Sequence, residues 1–334
     1  GGDSLLAARL FARIEKHFGK KLPLTLLFES PTIEHLANML REGAPPATPS
    51  LLLPIQAGGS RPPLFLVHGA GGGMLWGYAN LAQHLDPQQP VYGIESRGLK
   101  GLEEFARIEE MAAEYIREMR TFQPADPYYL GGYCFGGNVA YEMARQLHAL
   151  GKQVALLALF ESVPTNGSYY CYQCWRPRFI RDFIRNIFYR MQDLFRMKPE
   201  ARRNFVRRKI MALNIVRRFG LVQATPAVDL EKFIDISALS WEEIKLWQCH
   251  LRIAEQYMEQ PYAGRITLFR TRRQPFLSSF DPTYAWSDLA AGGVSVRMVP
   301  GSHENVFAEP NVGWLAEQLK AVLAETQAAA TIPS

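Results

Sequence analysis

Short, largely apolar runs recur along the chain at Leu64–Val67, Val91–Ile94, Tyr128–Leu130 and Val154–Phe160, and shorter apolar signals broken by polar residues at Ile266–Phe269 and Val294–Val299. Strands that alternate apolar with polar have one wet face. Uninterrupted apolar runs of this length belong to strands buried on both faces, the habit of parallel sheets. Stretches with helical spacing fall between them: Trp76–Leu85, Ile108–Phe122, a helix after Gly136 with Val139, Met143 and Leu147 on one face, and Trp314–Leu323. Repeated strand–helix–strand order predicts a mostly parallel sheet with helices on both sides, an α/β class fold. In such sheets the chemistry gathers at the carboxyl ends of the strands.

Two parts of the pattern stand apart. From about Val163 to Pro261 the alternation stops, and the segment is helical, aromatic and too long for a plain crossover. Phe179, Phe183, Ile187, Phe188, Met191 and Phe195 recur at helical spacing there, and Ile244, Trp247, Leu251 and Ala254 form a second helical face. An insertion between strands at this place is expected to lie over the carboxyl edge as a lid. The first 42 residues are also helical in pattern, with Leu5, Leu6, Leu10, Ile14 and Phe18 on one stripe and a short helix after Pro31-Thr32-Ile33. That is too little surface for a good independent core. Residues 43–50, Gly-Ala-Pro-Pro-Ala-Thr-Pro-Ser, read as a semi-stiff linker. The expected division is therefore 1–42, a linker over 43–50, a main domain over 51–327 with its lid at about 163–261, and a tail over 328–334.

Composition narrows this little. The chain has 334 residues, 48% hydrophobic, and a formal net charge of +5. No stretch of about 18 or more apolar residues is present, so no membrane span is expected. Gly1 stands where a start Met would be, and no signal pattern follows. The chain thus reads as part of a longer, cytoplasmic protein. Four cysteines do not make a disulfide framework, and Cys171-x-x-Cys174 has no partner pair, so no metal is expected. Basic residues concentrate between Arg176 and Arg218. Because the apolar residues there keep helical spacing, this reads as a solvated basic face and not as a nucleic-acid site.

The chemistry centres on Gly132-Tyr133-Cys134-Phe135-Gly136. An apolar run precedes it and a helical pattern follows, which is the setting of a nucleophile elbow, with cysteine as the nucleophile. A cysteine nucleophile needs a base and donors for the oxyanion. The Phe135 N–H, directly after the nucleophile, is one candidate donor. Ala70, in the loop His68-Gly69-Ala70-Gly71-Gly72-Gly73 after the first strand, is the other. His68 reads as a strand-end structural residue. The loop matches neither phosphate-binding glycine motif. The base is expected late in the chain, after the last strand, where Val299-Pro300-Gly301-Ser302-His303 supplies His303. His17, His35, His84, His148 and His250 fall on helices or helix ends and read as solvated or core-satisfied. For the orienting acid, Glu161 directly after Val154–Phe160 is preferred over Asp281.

These residues carry two resemblances. Gly1-Gly2-Asp3-Ser4-Leu5, the Leu-Pro-Leu at Leu22 and the Phe-Glu-Ser-Pro-Thr-Ile at Phe28 resemble the second half of a carrier domain of nonribosomal peptide and polyketide synthases. The resemblance implies a 4′-phosphopantetheine arm on Ser4, placed there by a phosphopantetheinyl transferase. From about Ser50 to Leu323 the chain is similar to the thioesterase domains that end such assembly lines, through H-G-x-G-G at His68, G-Y-x-F-G-G at Gly132 and P-G-x-H at Pro300. That implies an α/β-hydrolase fold with a helical lid. It also implies upstream synthetase modules in the same polypeptide and an acyl or peptidyl thioester substrate. Release would proceed through a Cys134 acyl-enzyme by hydrolysis or cyclisation. Family members normally carry Ser at the elbow and Asp at the position of Glu161. A stand-alone cysteine α/β-hydrolase of lactonase type and an acyl-holding module without turnover are the alternatives.

Overall fold

The computed structural model describes residues 10, 13, 14, 17–19, 32–42, 50–166, 169, 177–196, 241–274 and 278–331. Ser4, Cys171, Cys174 and the side chain of His35 lie outside them. In chain order the main elements are α1 (Ile33–Glu42), β1 (Leu52–Gln56), β2 (Leu64–Val67), α2 (Leu75–Gln83), β3 (Val91–Ile94), α3 (Ile108–Phe122), β4 (Tyr128–Tyr133), α4 (Phe135–Ala149), β5 (Val154–Phe160), α5 (Pro177–Arg196), α6 (Trp241–Gln256), β6 (Ile266–Thr271), β7 (Val294–Val299) and α7 (Asn311–Thr331). All six predicted strands are present. Near α1, Ile14 and Leu36 are buried together, with Met39 and Leu40 against them.

The strands form one sheet of order β1-β3-β2-β4-β5-β6-β7. Every pairing is parallel except β1 on β3. The fold is of the α/β-hydrolase type. Side chains of one strand leave on opposite faces, and both faces are covered. Phe65 and Val67 enter a core with α3 and α4, whereas Leu64 and Leu66 enter a second core with α2 and α7. All four residues of β2 are fully buried, which explains why its sequence is apolar without alternation. β1 is the edge strand that the periodicity does not reveal, because Pro54 interrupts it and most of it is only half-buried. The closing helix α7 runs beyond the expected Trp314–Leu323 and past residue 327, ending at Thr331.

β5 and β6 are direct neighbours in the sheet, and the insertion leaves and returns between them. Both described helices of the insertion sit differently from the sequence pattern. On α5, Asp182 and Asn186 are buried, while Ile184, Phe188, Met191 and Phe195 are exposed. Asn186 is held inward because its amide bonds both the N–H and the carbonyl of Gln274. On α6 the buried face is Leu246, His250 and Ile253, with Trp247 and Ala254 at its flank. The predicted face, Ile244, Trp247, Leu251 and Ala254, is rotated from this one because a buried, paired histidine counts as polar in a periodicity.

Candidate active site

β4 ends at Tyr133 and α4 begins at Phe135, so Cys134 alone makes the turn, with φ 52° and ψ −116°. A residue with a Cβ does not hold such angles unless its surroundings over-determine them. Here they do: the Cys134 N–H donates to the Phe160 carbonyl at 3.0 Å, and the Cys134 carbonyl accepts from Gly137 N–H at 3.0 Å and from Ser162 Oγ at 2.8 Å. The flanking glycines are required by close approach. A Cβ on Gly132 would lie 2.1 Å from the Gly136 oxygen, and one on Gly136 would lie 2.3 Å from the His68 oxygen. The thiol is thereby fixed at the positive end of α4.

His303 lies past β7 and is 47% exposed. Its ring rests on that of Tyr133, with centroids 4.7 Å apart, and Tyr133 Oη donates to the His303 carbonyl at 2.6 Å. Nδ1 of His303 lies 3.6 Å from Glu161 Oε2, and Cys134 is the other neighbour that acts on the ring. Burial pushes His303 down, but the neighbouring Cys134 and Glu161 outweigh it and raise the imidazole to about 10. Burial likewise pushes the Cys134 thiol up, and the charge and hydrogen bond of His303, with the Phe135 N–H, bring it below its ordinary value. The opposed shifts both favour moving charge from the thiol to the imidazole.

Glu161 follows β5 at φ 49°. Its N–H donates to the Phe269 carbonyl, and its Oε1 accepts from Thr271 N–H and, at 3.2 Å, from Tyr284 Oη. Two donors therefore aim the carboxylate and leave Oε2 for His303. The Asp281 carboxylate is otherwise engaged. It accepts from Thr283 N–H at 2.8 Å, Thr283 Oγ1 at 2.9 Å and Ala285 N–H at 3.1 Å, and so ties its own loop. The structure thus brings Cys134, His303 and Glu161 together.

Ala70 opens a short 3-10 turn over Ala70–Gly72 after β2, and is buried. His68 hydrogen-bonds the Gly69 carbonyl and Tyr115, and burial lowers it to about 3, so it is neutral. His250, read from the sequence as merely satisfied, reaches this loop from α6 and hydrogen-bonds Gly71 N–H at 2.9 Å. No local sequence signal marks it, because its partners Gly71 and Glu104 lie far away along the chain.

Such an elbow, beside a histidine with a carboxylate behind it, suits acyl transfer. Residues 62–323 match the thioesterase domain model, and residues 1–40 match the phosphopantetheine attachment site model. The chain belongs to the thioesterase domain family. A thioesterase domain is a hydrolase, and the attachment-site match supports a 4′-phosphopantetheine cofactor. The chain is 42% identical over 167 residues to a dimodular nonribosomal peptide synthase of Bacillus subtilis (strain 168), covering 50% of this chain and 7% of that protein. It is 28% identical over 335 residues to vanchrobactin synthetase VabF of Vibrio anguillarum, covering 98% of this chain and 10% of the relative. The thioesterase chain is thus a small part of the length of these relatives.

Among solved structures, a four-domain nonribosomal peptide synthetase bound to AMP and glycine superposes with a TM-score of 0.58 at 27% identity, covering 99% of this chain and 24% of that one. The NocB thioesterase domain, in covalent complex with a fluorophosphonate nocardicin G analog, gives a TM-score of 0.52 at 26% identity, covering 79% of this chain and 95% of that one. Among the described residues, no helix is long and apolar enough to cross a membrane.

Proposed function

We propose that this thioesterase domain releases a peptidyl or polyketidyl chain from a carrier-bound thioester through an acyl-enzyme on Cys134. The observation that carries the reading is the Cys134–His303–Glu161 arrangement, with the thiol lowered and the imidazole raised together. Cys134 Sγ, as thiolate, attacks the thioester carbonyl carbon, and the carbonyl π electrons move to the oxygen. The N–H groups of Ala70 and Phe135 stabilise that oxyanion. Collapse breaks the bond to the departing sulfur, and the His303 imidazolium gives it a proton, leaving a thioester on Cys134 and a neutral His303. Glu161 holds Nδ1–H, so the other ring nitrogen faces the reacting atoms. Neutral His303 then removes a proton from water, or from a hydroxyl or amine of the acyl chain, as that nucleophile attacks. The second collapse returns the thiolate and frees an acid or a ring.

Ser4 lies outside the described residues. Its hydroxyl is the group an arm attached through phosphate requires. Ser4 would hold the arm, placed by a phosphopantetheinyl transferase, and the arm would present the acyl group as a thioester. The division into a carrier segment over 1–42, a linker over 43–50 and a thioesterase domain over 51–327 with its lid at 163–261 belongs to the same proposal. So do synthetase modules upstream in one polypeptide, which the synthetase relatives support, and a cytoplasmic location.

Cysteine in place of serine bears on the product. Transfer from one thioester to another is nearly level and keeps the acyl group activated, whereas transfer to an oxoester is downhill. Cyclisation onto a weak internal nucleophile is the use that most needs retained activation. Incubation of the full chain with an acyl N-acetylcysteamine thioester and intact-mass analysis tests the reading. An acyl adduct on Cys134, absent from Cys134→Ala, and a released product are expected. Thioester cleavage that survives Cys134→Ala would overturn it. With a chain bearing a terminal nucleophile, a cyclic product is lighter than the acid by one water. Equal cyclisation by Cys134→Ser would remove the argument from activation.

A further inference from the structure

Two imidazoles frame the loop after β2, and neither belongs to the triad. His68 Nδ1 lies 2.7 Å from the Gly69 carbonyl oxygen, and its Nε2 lies 2.7 Å from Tyr115 Oη. A carbonyl oxygen only accepts, so Nδ1 carries the proton and Nε2 accepts from Tyr115. The Gly69 carbonyl and the Ala70 N–H belong to one planar peptide group. His68 therefore fixes the direction in which the Ala70 N–H points.

The next peptide group, Ala70 carbonyl with Gly71 N–H, is held from the insertion. Gly71 N–H donates to His250 Nδ1 at 2.9 Å. His250 consequently carries its proton on Nε2, which lies 3.3 Å from Glu104 Oε2. Glu104 is itself held by Ser96 Oγ and by the N–H of Gly98. His250 is fully buried. Its ring stacks on Phe135 at 4.8 Å and 15°, and its centroid is 5.0 Å from that of His68. Trp247, one turn earlier on α6, closes the seat. A Cβ on Gly71, at φ 69°, would lie 2.1 Å from the Trp247 ring. One lid helix thus touches the peptide after Ala70 and the side chain of Phe135.

We infer that His250 is a positioning residue for the oxyanion loop, setting the second peptide of Ala70 as His68 sets the first, with its tautomer set by the Gly71 N–H donated to Nδ1 and the Glu104 carboxylate beside Nε2. The inference rests on the reading of Ala70 and Phe135 as oxyanion donors to a Cys134 acyl transfer. It makes acylation conditional on α6 being seated, so that the lid and the chemistry are one device. Loss of an oxyanion donor costs about 100- to 1,000-fold. Loss of a support behind a donor that remains is expected to cost about 10- to 100-fold, because misplacement by about 1 Å has effects of that order.

The test compares two reactions of one sulfur in the full chain. Acylation by an acyl N-acetylcysteamine thioester develops an oxyanion; alkylation by iodoacetamide displaces iodide and develops none. His250→Phe keeps a ring against Phe135 and removes the acceptor. It is expected to slow acylation about 10- to 100-fold while alkylation stays within about twofold. His250→Asn, whose amide oxygen falls near the place of Nδ1, is expected to recover most of the acylation rate. Acylation of His250→Phe at the wild-type rate overturns the inference, and so does an equal loss in both reactions, which would mean general damage to the site. Should His250→Phe not fold, His250→Asn is compared with His250→Gln, whose amide reaches past that place. Equal acylation by those two overturns the inference as well. If the wild-type chain is alkylated but never acylated at Cys134, the reading of the site fails and this inference falls with it.

Discussion

Replacing Glu161 by glutamine isolates what the carboxylate does for the proposed pairing of Cys134 with His303. The geometry survives the change. The carbonyl oxygen of the new amide can still accept from Thr271 N–H and Tyr284 Oη, which now hold Glu161 Oε1. The amide nitrogen, however, faces His303 Nδ1, a donor against a donor. Opposite unit charges at the observed 3.6 Å attract by about 4–5 kcal/mol at an effective dielectric of about 20. His303 is 47% exposed and Glu161 only 4%. Solvent screening then leaves about half of that, near 2 kcal/mol. At about 1.4 kcal/mol per decade, Glu161→Gln should slow acylation of Cys134 about 30-fold. The pH profile supplies a second readout with a definite sign. His303 is raised to about 10 in part by Glu161. Removing the anion makes the imidazolium easier to deprotonate, so the descending, alkaline limb of the acylation rate must move to lower pH. Stopped-flow thiol release from a thioester between pH 6 and 10 measures both, with pH 10 set by the His303 value. A rate within about threefold of wild type, with the alkaline limb unmoved, would refute the role given to Glu161.

Asp281→Ala should leave acylation within about twofold and lower stability by about 1–2 kcal/mol, since the carboxylate serves only its own turn; a denaturant midpoint and the acylation rate separate the two effects. Gly136→Ala puts a methyl on backbone oxygens of Val67 and His68 at 2.5 and 2.3 Å, and should cost more than about 4 kcal/mol, read as loss of soluble, cooperatively melting protein. Burial pushes the Glu104 carboxyl up, yet the neighbouring His250 and the hydrogen bond from Ser96 hold it down at about 2. A lowered acid contributes stability that is present above the unfolded value of 4.5 and is lost as pH falls through the folded one. Wild type should therefore exceed Glu104→Gln by about 3 kcal/mol at pH 7, and the gap in urea midpoints should close between pH 4.5 and about 2.

Much of the fold is legible in the sequence because both faces of the sheet are covered. β2, β3 and β5 coincide with the apolar runs, β7 coincides with its predicted bounds, and β4 and β6 begin where predicted. β4 continues through Gly131-Gly132-Tyr133 because two glycines read as punctuation even when a close-packed strand requires them. The site residues after strands are legible for the same reason: a strand's end is marked, and the residue beyond it stands at the carboxyl edge. Cys134, Glu161 and His303 all have that position. His250 does not. It sits within a helix, and what gives it meaning is a backbone N–H of a loop and a carboxylate that only the folded chain brings near. The inward face of α5 escapes the sequence for a related reason. A periodicity records that apolar residues share a face, but not that Asn186 and Asp182 turn the opposite side inward.

The long excursion between β5 and β6 begins just after Glu161 and returns just before a strand that pairs directly with the one it left. Its exit is fastened to the far, carboxyl end of the strand it returns to, because the carboxylate just after β5 accepts the N–H of Thr271. Closing a loop costs only logarithmically more as the loop lengthens. Residues can therefore be added to or removed from the middle of the excursion with little penalty to the sheet and none to the fastening at its exit. On the proposed function, selection can vary the length of this excursion while the reacting atoms stay in register. The freedom stops at α6, whose grip on the loop after β2 must be kept by any excursion that replaces this one.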